Sequence, residues 1–234
     1  MSQVYRLITL DLDDTLWPCA PVIAAAEAAL QQWLREQAPR LAAAHDPDSL
    51  RAHRMALMRV RPEIAHDLTR VRRESLAALL RAFGYAEDLA DAAMLRFRQA
   101  RNRVEPYADV IPVLGRLRQA HRLVSVTNGN AQLAQTPLRD CFDRALTAAE
   151  VGAARPDPAL FEQAMAWAGV GPAATLHVGD DPRCDIEAAR RIGITAVWIN
   201  RNGRAWPRDL PPPAHQVSDL HGLAAWLAAR AGAP

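Results

Sequence analysis

The stretch YRLITLDLDDTLWP, residues 5–18, decides how this chain is read. An apolar run with strand character, YRLITLD, leads into three carboxylates, Asp11, Asp13 and Asp14, within four residues. Like charges this close repel unless a cation sits between them, and a set of oxygen-only donors suits a hard divalent ion such as Mg²⁺. The stretch is therefore read as a buried strand whose carboxyl end gathers acid for chemistry.

Three more apolar runs have the same character: RLVSVTN (122–128), ATLHVGD (174–180) and ITAVWIN (194–200). Helical patterns separate them, DVIPVLGRLRQA (109–120), PALFEQAMAWAG (158–169) and CDIEAARRIG (184–193), the last two closing on Gly169 and Gly193. Apolar strands alternating with helices imply an α/β fold, a Rossmann-like parallel sheet covered on both faces. Such sheets bind ligands beyond the carboxyl ends of their strands. Asp11, Thr127 and Asp180 all fall at such ends.

Residues 19–104 show helical periodicity and no strand. PVIAAAEAALQQWLREQ repeats Ile23, Leu30, Trp33 and Leu34, and DLTRVRRESLAALLRAFG repeats Leu68, Val71, Leu76, Leu79, Leu80 and Phe83 before Gly84. This predicts a cap of about four helices, residues 18–105, inserted into an α/β core made of 1–17 and 106–234. The tail reads as a loop, WPRDLPPPAH (206–215), and a terminal helix, DLHGLAAWLAARA.

Composition narrows the class. Of 234 residues half are hydrophobic and 23% charged, an ordinary soluble profile, and the net charge of +2 does not argue for nucleic acid. There is no lysine: all 28 basic residues are arginine. Three cysteines lack the number and spacing of a disulfide framework or zinc site, which suits a reducing compartment. With the first strand close to Met1 there is no room for a signal peptide, and no apolar run is long enough to span a membrane, so a cytoplasmic protein is expected. No sequence feature sets an oligomeric state.

The second acidic cluster, VGDDPRCD, supplies Asp180, Asp181 and Asp185. If its strand neighbours the first, Asp11 and Asp180 can clamp one ion. Thr127 and Asn128 offer donors for phosphate oxygens, and Arg155, opening RPDP, offers a cation. A nucleophile, an acid/base, a metal and an anion clamp together make the equipment of phosphoryl transfer.

DLDDT, SVTNG, ARPDPALF and HVGDDPRCD occur in the order and at the strand ends of the four motifs of the haloacid dehalogenase-like hydrolase superfamily, which the chain resembles over nearly its whole length. The helical block sits where that superfamily inserts its C1-type cap. The resemblance implies that Asp11 is the nucleophile that becomes an aspartyl-phosphate. It makes Asp13 the acid that protonates the leaving oxygen and then the base that activates water. Mg²⁺ would be held by Asp11, the backbone carbonyl of Asp13, and Asp180, with Asp181 or Asp185 behind them, and phosphoryl oxygens by Thr127 with Asn128 alongside. Arg155 departs from the family's usual lysine; in a chain without lysine, it is expected to keep the anion-clamping role. Haloacid dehalogenases lack a carboxylate two residues after the nucleophile, so Asp13 points to a phosphatase of small phosphate monoesters. Phosphonate hydrolases are excluded, since they need a cap lysine.

Within the superfamily the segments RPEIAHDLTRVRRES (61–75), APVI (20–23) and TNGNAQ (127–132) resemble bacterial phosphatases of riboflavin metabolism, which act on flavin mononucleotide and 5-amino-6-(5-phosphoribitylamino)uracil. Nucleoside monophosphate or sugar phosphatases on the same scaffold, or a weakened site that only binds phosphate, are the alternatives. His66, Asp67, Arg70 and Arg73 are the cap residues placed nearest the leaving group, although Asp67, Arg70 and Glu74 also fit helix capping and pairing. The twelve arginines against six acids in residues 50–103 could steer phosphate esters, or simply cover solvated helix faces. Trp17 is read either as lining the entrance beside a substrate ring or as packing. His177, mid-strand, is read as a core or supporting residue.

Overall fold

The structure, a computed structural model, describes residues 5–231. Residues 1–4, on which the expectation of no leader rests, lie outside that range. The chain divides into two compact units: residues up to Pro18 with Glu105–Gly129 and those from Pro137 on, and Cys19–Val104 with Asn130–Thr136.

Strand β1 (Leu7–Leu10) opens the first unit. Five helices follow: α1 (Cys19–Gln37), α2 (Pro39–Ala44), α3 (Pro47–Val60), α4 (Leu68–Ala82) and α5 (Leu89–Arg101). The chain then returns through α6 (Val110–Leu117), β2 (Arg122–Thr127), β3 (Arg144–Thr147), α7 (Ala148–Val151), α8 (Ala159–Ala168) and β4 (Thr175–Gly179). It ends with α9 (Ala188–Arg191), β5 (Thr195–Ile199), β6 (Gln216–Val217) and α10 (Leu220–Ala231).

The six strands form one sheet in the order β3-β2-β1-β4-β5-β6, every pair parallel. β1 lies between β2 and β4, with Leu10 opposite Ser125 and Val178. That register brings Asp11, Thr127 and Asp180 to neighbouring strand ends. β1 is buried along its whole length, as its unbroken apolar run requires. Leu7, Val124, Val126, Leu160, Phe161 and Trp198 share one core cluster, and each such side chain stabilises the fold by about 1.5–3 kcal/mol when fully buried. α8 ends at Gly169, whose φ of 62° is the left-handed conformation that closes a helix.

β3 and β6 escaped the sequence reading. β3 is an edge strand with one buried residue, Leu146, and β6 has two residues, so neither carries an apolar run. The segment read as one helix over 184–193 begins instead as a wide π turn, Pro182–Glu187, before α9.

The helical unit has its own core, in which Leu30 and Leu34 of α1 join Leu76 and Leu80 of α4 and Phe97 of α5. Asp67 caps α4, accepting the Arg70 N–H at 2.9 Å. Arg72 lies 3.7 Å over the Phe97 ring and shares Glu27 with Arg54. Residues 130–136, assigned to the α/β core from sequence, pack instead with this unit. Asn102 explains the difference: its amide donates to Gln135 Oε1 at 2.9 Å and its oxygen accepts the Gln132 N–H at 2.9 Å. Among the described residues, no helix is long and apolar enough to cross a membrane.

Candidate active site

The loop after β1 folds back on itself. Asp11 continues the sheet, donating its N–H to Val178 O at 3.0 Å. Leu16 N–H then bonds to Leu12 O at 2.7 Å and Asp14 N–H to Trp17 O at 2.8 Å, with Asp14 at φ 59°. The tight turn leaves Asp11 and Asp13 lining one open cavity of about 190 Å³, together with Thr127, Arg155, Asp180 and Asp185.

Arg155 is buried and forks, one Nη donating to Asp11 and the other to Asp185. Burial alone would lower its pKa, but the two carboxylates outweigh it and raise it, so the guanidinium stays charged. Asn128 holds its backbone, and Arg155 Nε has no hydrogen-bond partner among the described residues. His177 sits beneath, fully buried, between Thr9 Oγ1 at 2.9 Å from Nδ1 and Asp185 Oδ1 at 3.2 Å from Nε2. Because a carboxylate only accepts, Nε2 carries the hydrogen and Nδ1 accepts from Thr9. Burial pulls the His177 pKa down, so it is neutral and supports Asp185.

Asp185 is pressed against the end of β4. A Cβ on Gly179 would stand 2.2 Å from Asp185 Cγ, so only glycine fits there. Asp181 serves the backbone, accepting the N–H groups of Arg183 and Cys184 at 2.8 and 2.7 Å and so starting the π turn. Asp180 is held by Thr15 Oγ1 at 3.2 Å, by Arg204 Nη2 at 2.6 Å and, through its carbonyl, by Trp198 Nε1 at 2.8 Å.

The acids differ in their surroundings. Burial raises the pKa of Asp11 well above the usual carboxylate range, with Arg155 opposing and Asp185, Asp180 and Asp13 adding to the rise. Burial, with Asp185, also pushes Asp180 up to about 6. For Asp185 burial acts in the same sense, but Arg155, His177 and the Asp181 N–H outweigh it and its pKa falls. Oxygens of Asp11, Asp180 and Asp185 lie within 4.8 Å of one another. Two carboxyls pushed upward beside a third ionised one form a donor set that a divalent cation would return to the charged form, and its oxygen-only chemistry fits Mg²⁺.

The family profile of the haloacid dehalogenase-like hydrolases matches residues 5–193. The chain belongs to that family. It is 35% identical to the 5-amino-6-(5-phospho-D-ribitylamino)uracil phosphatase YigB of Escherichia coli K12, over 92% of this chain and 93% of that one. It is 34% identical to a phosphoserine phosphatase of Thermus thermophilus, over 64% of this chain and 61% of that one. Among solved structures it superposes on a 2-haloacid dehalogenase from Pseudomonas syringae pv. Tomato DC3000 with a TM-score of 0.90 and 38% identity, covering 98% of this chain and all of that one. Within the family, the chain is a hydrolase of the phosphatase kind.

This hydrolase places Asp11, Asp13, Thr127, Asn128, Arg155, Asp180, Asp181 and Asp185 around one cavity. Of the two readings of Trp17, packing is the one that fits: the side chain is fully buried, and its indole N–H donates to Asp13 Oδ1 at 2.8 Å. The reading of Asn128 needs correction. The Asn128 amide is bonded to Arg155 at both of its ends, which makes it a support for the cation. In the helical unit Asp67 caps α4, Arg70 pairs with Glu74 at 2.7 Å and Arg73 with Asp91 at 2.5 Å, while His66 is half-buried. Thr15, Gly179, Trp198 and Arg204 were missed. Gly179 had a signal, a glycine at a strand end directly before two acids; Arg204, one arginine among many in a loop, had none.

Proposed function

We propose that this hydrolase is a Mg²⁺-dependent phosphatase of small phosphate monoesters that works through an aspartyl-phosphate on Asp11, with riboflavin-pathway phosphates as substrates. The observation that carries the reaction is Asp13 lining the same cavity as Asp11, Arg155 and the Asp11, Asp180 and Asp185 cluster. Asp11 attacks phosphorus while the ester P–O bond breaks, and Asp13 gives its proton to the leaving oxygen. Asp13 then takes a proton from water as the water attacks phosphorus, releasing phosphate and restoring Asp11. Arg155 and Thr127 hold the phosphoryl oxygens. Bound Mg²⁺, held by Asp11, the Asp13 carbonyl and Asp180, supplies charge stabilisation for the phosphoryl group. Asp185, tied to Arg155 and His177, keeps both cation and metal ligands in place.

The substrate class rests on the Escherichia coli relative, a phosphatase of a riboflavin precursor that matches nearly end to end. The helical unit, as a C1-type cap, is where substrate choice would reside. Likeness to a solved dehalogenase does not carry over, because release of a halide needs no proton and this cavity holds Asp13. The test is phosphate release from flavin mononucleotide and from 5-amino-6-(5-phosphoribitylamino)uracil, with and without Mg²⁺, beside Asp11→Asn. Metal-dependent release abolished by the substitution is expected. Silence with both, together with turnover of nucleoside monophosphates or sugar phosphates, would replace the substrate class and keep the mechanism; silence across all of them would leave a site that only binds phosphate.

A further inference from the structure

Little apolar surface holds α3 to the helical unit: of its 14 residues only Leu50 is buried. A helix in a protein draws most of its stability from such packing, so α3 depends on a second attachment. Arg54, one turn on from Leu50, supplies it. Its Nη2 donates to Glu27 Oε1 of α1 at 2.8 Å, and Arg72 Nη1 of α4 donates to the same oxygen at 2.7 Å. Two guanidiniums on one carboxylate leave a positive charge in excess, and little of it reaches water. Arg72 is 9% exposed, and Arg54 and Glu27 are nearly as covered. Burial and then Arg54 pull the Arg72 pKa down to about 10, with Glu27 opposing and Arg101 adding to the fall. A buried charge without its full complement of opposite charge is costly.

Between these helices lies a cavity of about 10 Å³, room for one body the size of a water. Arg54, Arg72 and Ser75 line it together with four leucines, and no carboxylate of the described residues does. Arg72 Nε is buried and has no hydrogen-bond partner among the described residues, while the Phe97 ring covers one face of the guanidinium at 3.7 Å. Glu27 Oε2 is likewise without a partner, but Glu27 does not line this cavity. The wall thus offers N–H donors and positive charge in apolar surroundings. Water and a halide both accept from an N–H, but only the halide neutralises the charge.

We propose that this cavity is a site for a halide-sized monovalent anion, chloride, which neutralises the Arg54 and Arg72 pair and fastens α3 to α4. The ion accepts from the two arginines, one on each helix, with the Ser75 hydroxyl as a third donor. A cavity of this size excludes phosphate, sulfate and carboxylates. Binding therefore stabilises the helical unit, and α3 most of all.

The test uses the full chain at constant sodium concentration, with chloride replacing gluconate, an anion too large for the cavity. The melting temperature should rise with chloride and saturate, and amide exchange across α3 should slow about fivefold at saturation. Bromide should act alike, and in crystals grown with it the anomalous signal should lie between Arg54 and Arg72. Arg72→Met should lose the saturable response. Glu27→Gln removes the carboxylate and keeps an acceptor oxygen, so the excess charge grows and the half-saturating chloride should fall about fivefold. Exchange and bromide diffraction on the unmodified protein decide the matter even if Arg72→Met does not fold. A response to chloride no greater than to gluconate, or a water and no bromide in the cavity, would overturn the site. So would a saturable response that Arg72→Met retains, since the ion would then bind elsewhere. An unchanged or higher half-saturation in Glu27→Gln would overturn excess charge as the source of the affinity.

Discussion

Asn128 grips the backbone of Arg155 from both sides: its Oδ1 accepts the Arg155 N–H at 2.8 Å and its Nδ2 donates to the Arg155 carbonyl at 2.9 Å. A residue at the end of β2 thus fixes the height of the cation that reaches Asp11. Asn128→Ala removes both bonds and leaves a polar backbone pair without its partner, an expected loss of about 1–3 kcal/mol in stability. Asn128→Asp keeps the acceptor but turns an oxygen toward the Arg155 carbonyl, so it should not restore the wild-type rate. Thermal melts and phosphate-release kinetics on the two variants check this; wild-type kcat/KM in both would mean that Arg155 is placed by its own side-chain contacts alone.

Arg155 carries the second prediction. It is the cation shared by two buried acids, and removing one partner of a buried pair costs about 3–5 kcal/mol because a charge is left uncompensated. Arg155→Ala is expected to lose that much stability in EDTA and less in Mg²⁺, with turnover and phosphate affinity both falling. Arg155→Lys keeps the charge but cannot fork, so it should recover part of the activity and less of the stability. Chemical denaturation with and without metal, beside inhibition by inorganic phosphate, reads both. If Arg155→Ala left turnover and phosphate affinity intact, the clamp would lie elsewhere.

Much of this was legible because its signals are local. Each of β1, β2, β4 and β5 is a buried apolar run, and Asp11, Thr127 and Asp180 sit directly after or at the end of one. What stayed hidden depends on closure in space. Trp17 meets Asp13 only because the turn between them folds back, and a tryptophan after a strand gives no hint of that bond. The Asn128 amide finds the backbone 27 residues on, a partner that no side-chain pattern encodes. In a chain whose bases are all arginine, Arg204 on Asp180 and Arg201 on Asp109 look like any other surface charge. β3 and β6 failed for a simpler reason: short edge strands bury too little to leave an alternation.

Gly179 gives the third prediction. A methyl group there would overlap the Asp185 carboxyl at 2.2 Å, and the carboxyl is held on its other sides by Arg155, His177 and the Asp181 N–H. Gly179→Ala should therefore displace Asp185, with an overpacking loss of about 1–3 kcal/mol and a much larger proportional fall in kcat than in stability. Asp185→Ala in the Gly179→Ala background removes the clash, so the double variant should be more stable than the sum of the single losses. Additive losses would show that the two residues do not meet as described.

Asp180 and the metal give the last. Burial and Asp185 push its carboxyl up to about 6, so it is ionised at pH 7.5 and mostly protonated at pH 5. A proton and a cation compete for the same oxygens, and metal affinity must therefore fall as pH falls through that value. For one group of pKa near 6, going from pH 7.5 to pH 5 weakens binding about tenfold. Mg²⁺ should accordingly raise the melting temperature more at pH 7.5 than at pH 5, and calorimetric titration near pH 6, where Asp180 is partly protonated, should release protons. Asp180→Asn cannot ionise, so it should bind more weakly at pH 7.5 and lose Asp180's share of the pH dependence, keeping the share of Asp11, whose carboxyl burial also raises. An equal Mg²⁺ shift at both pH values in the unmodified protein would remove Asp180 from the metal's donors.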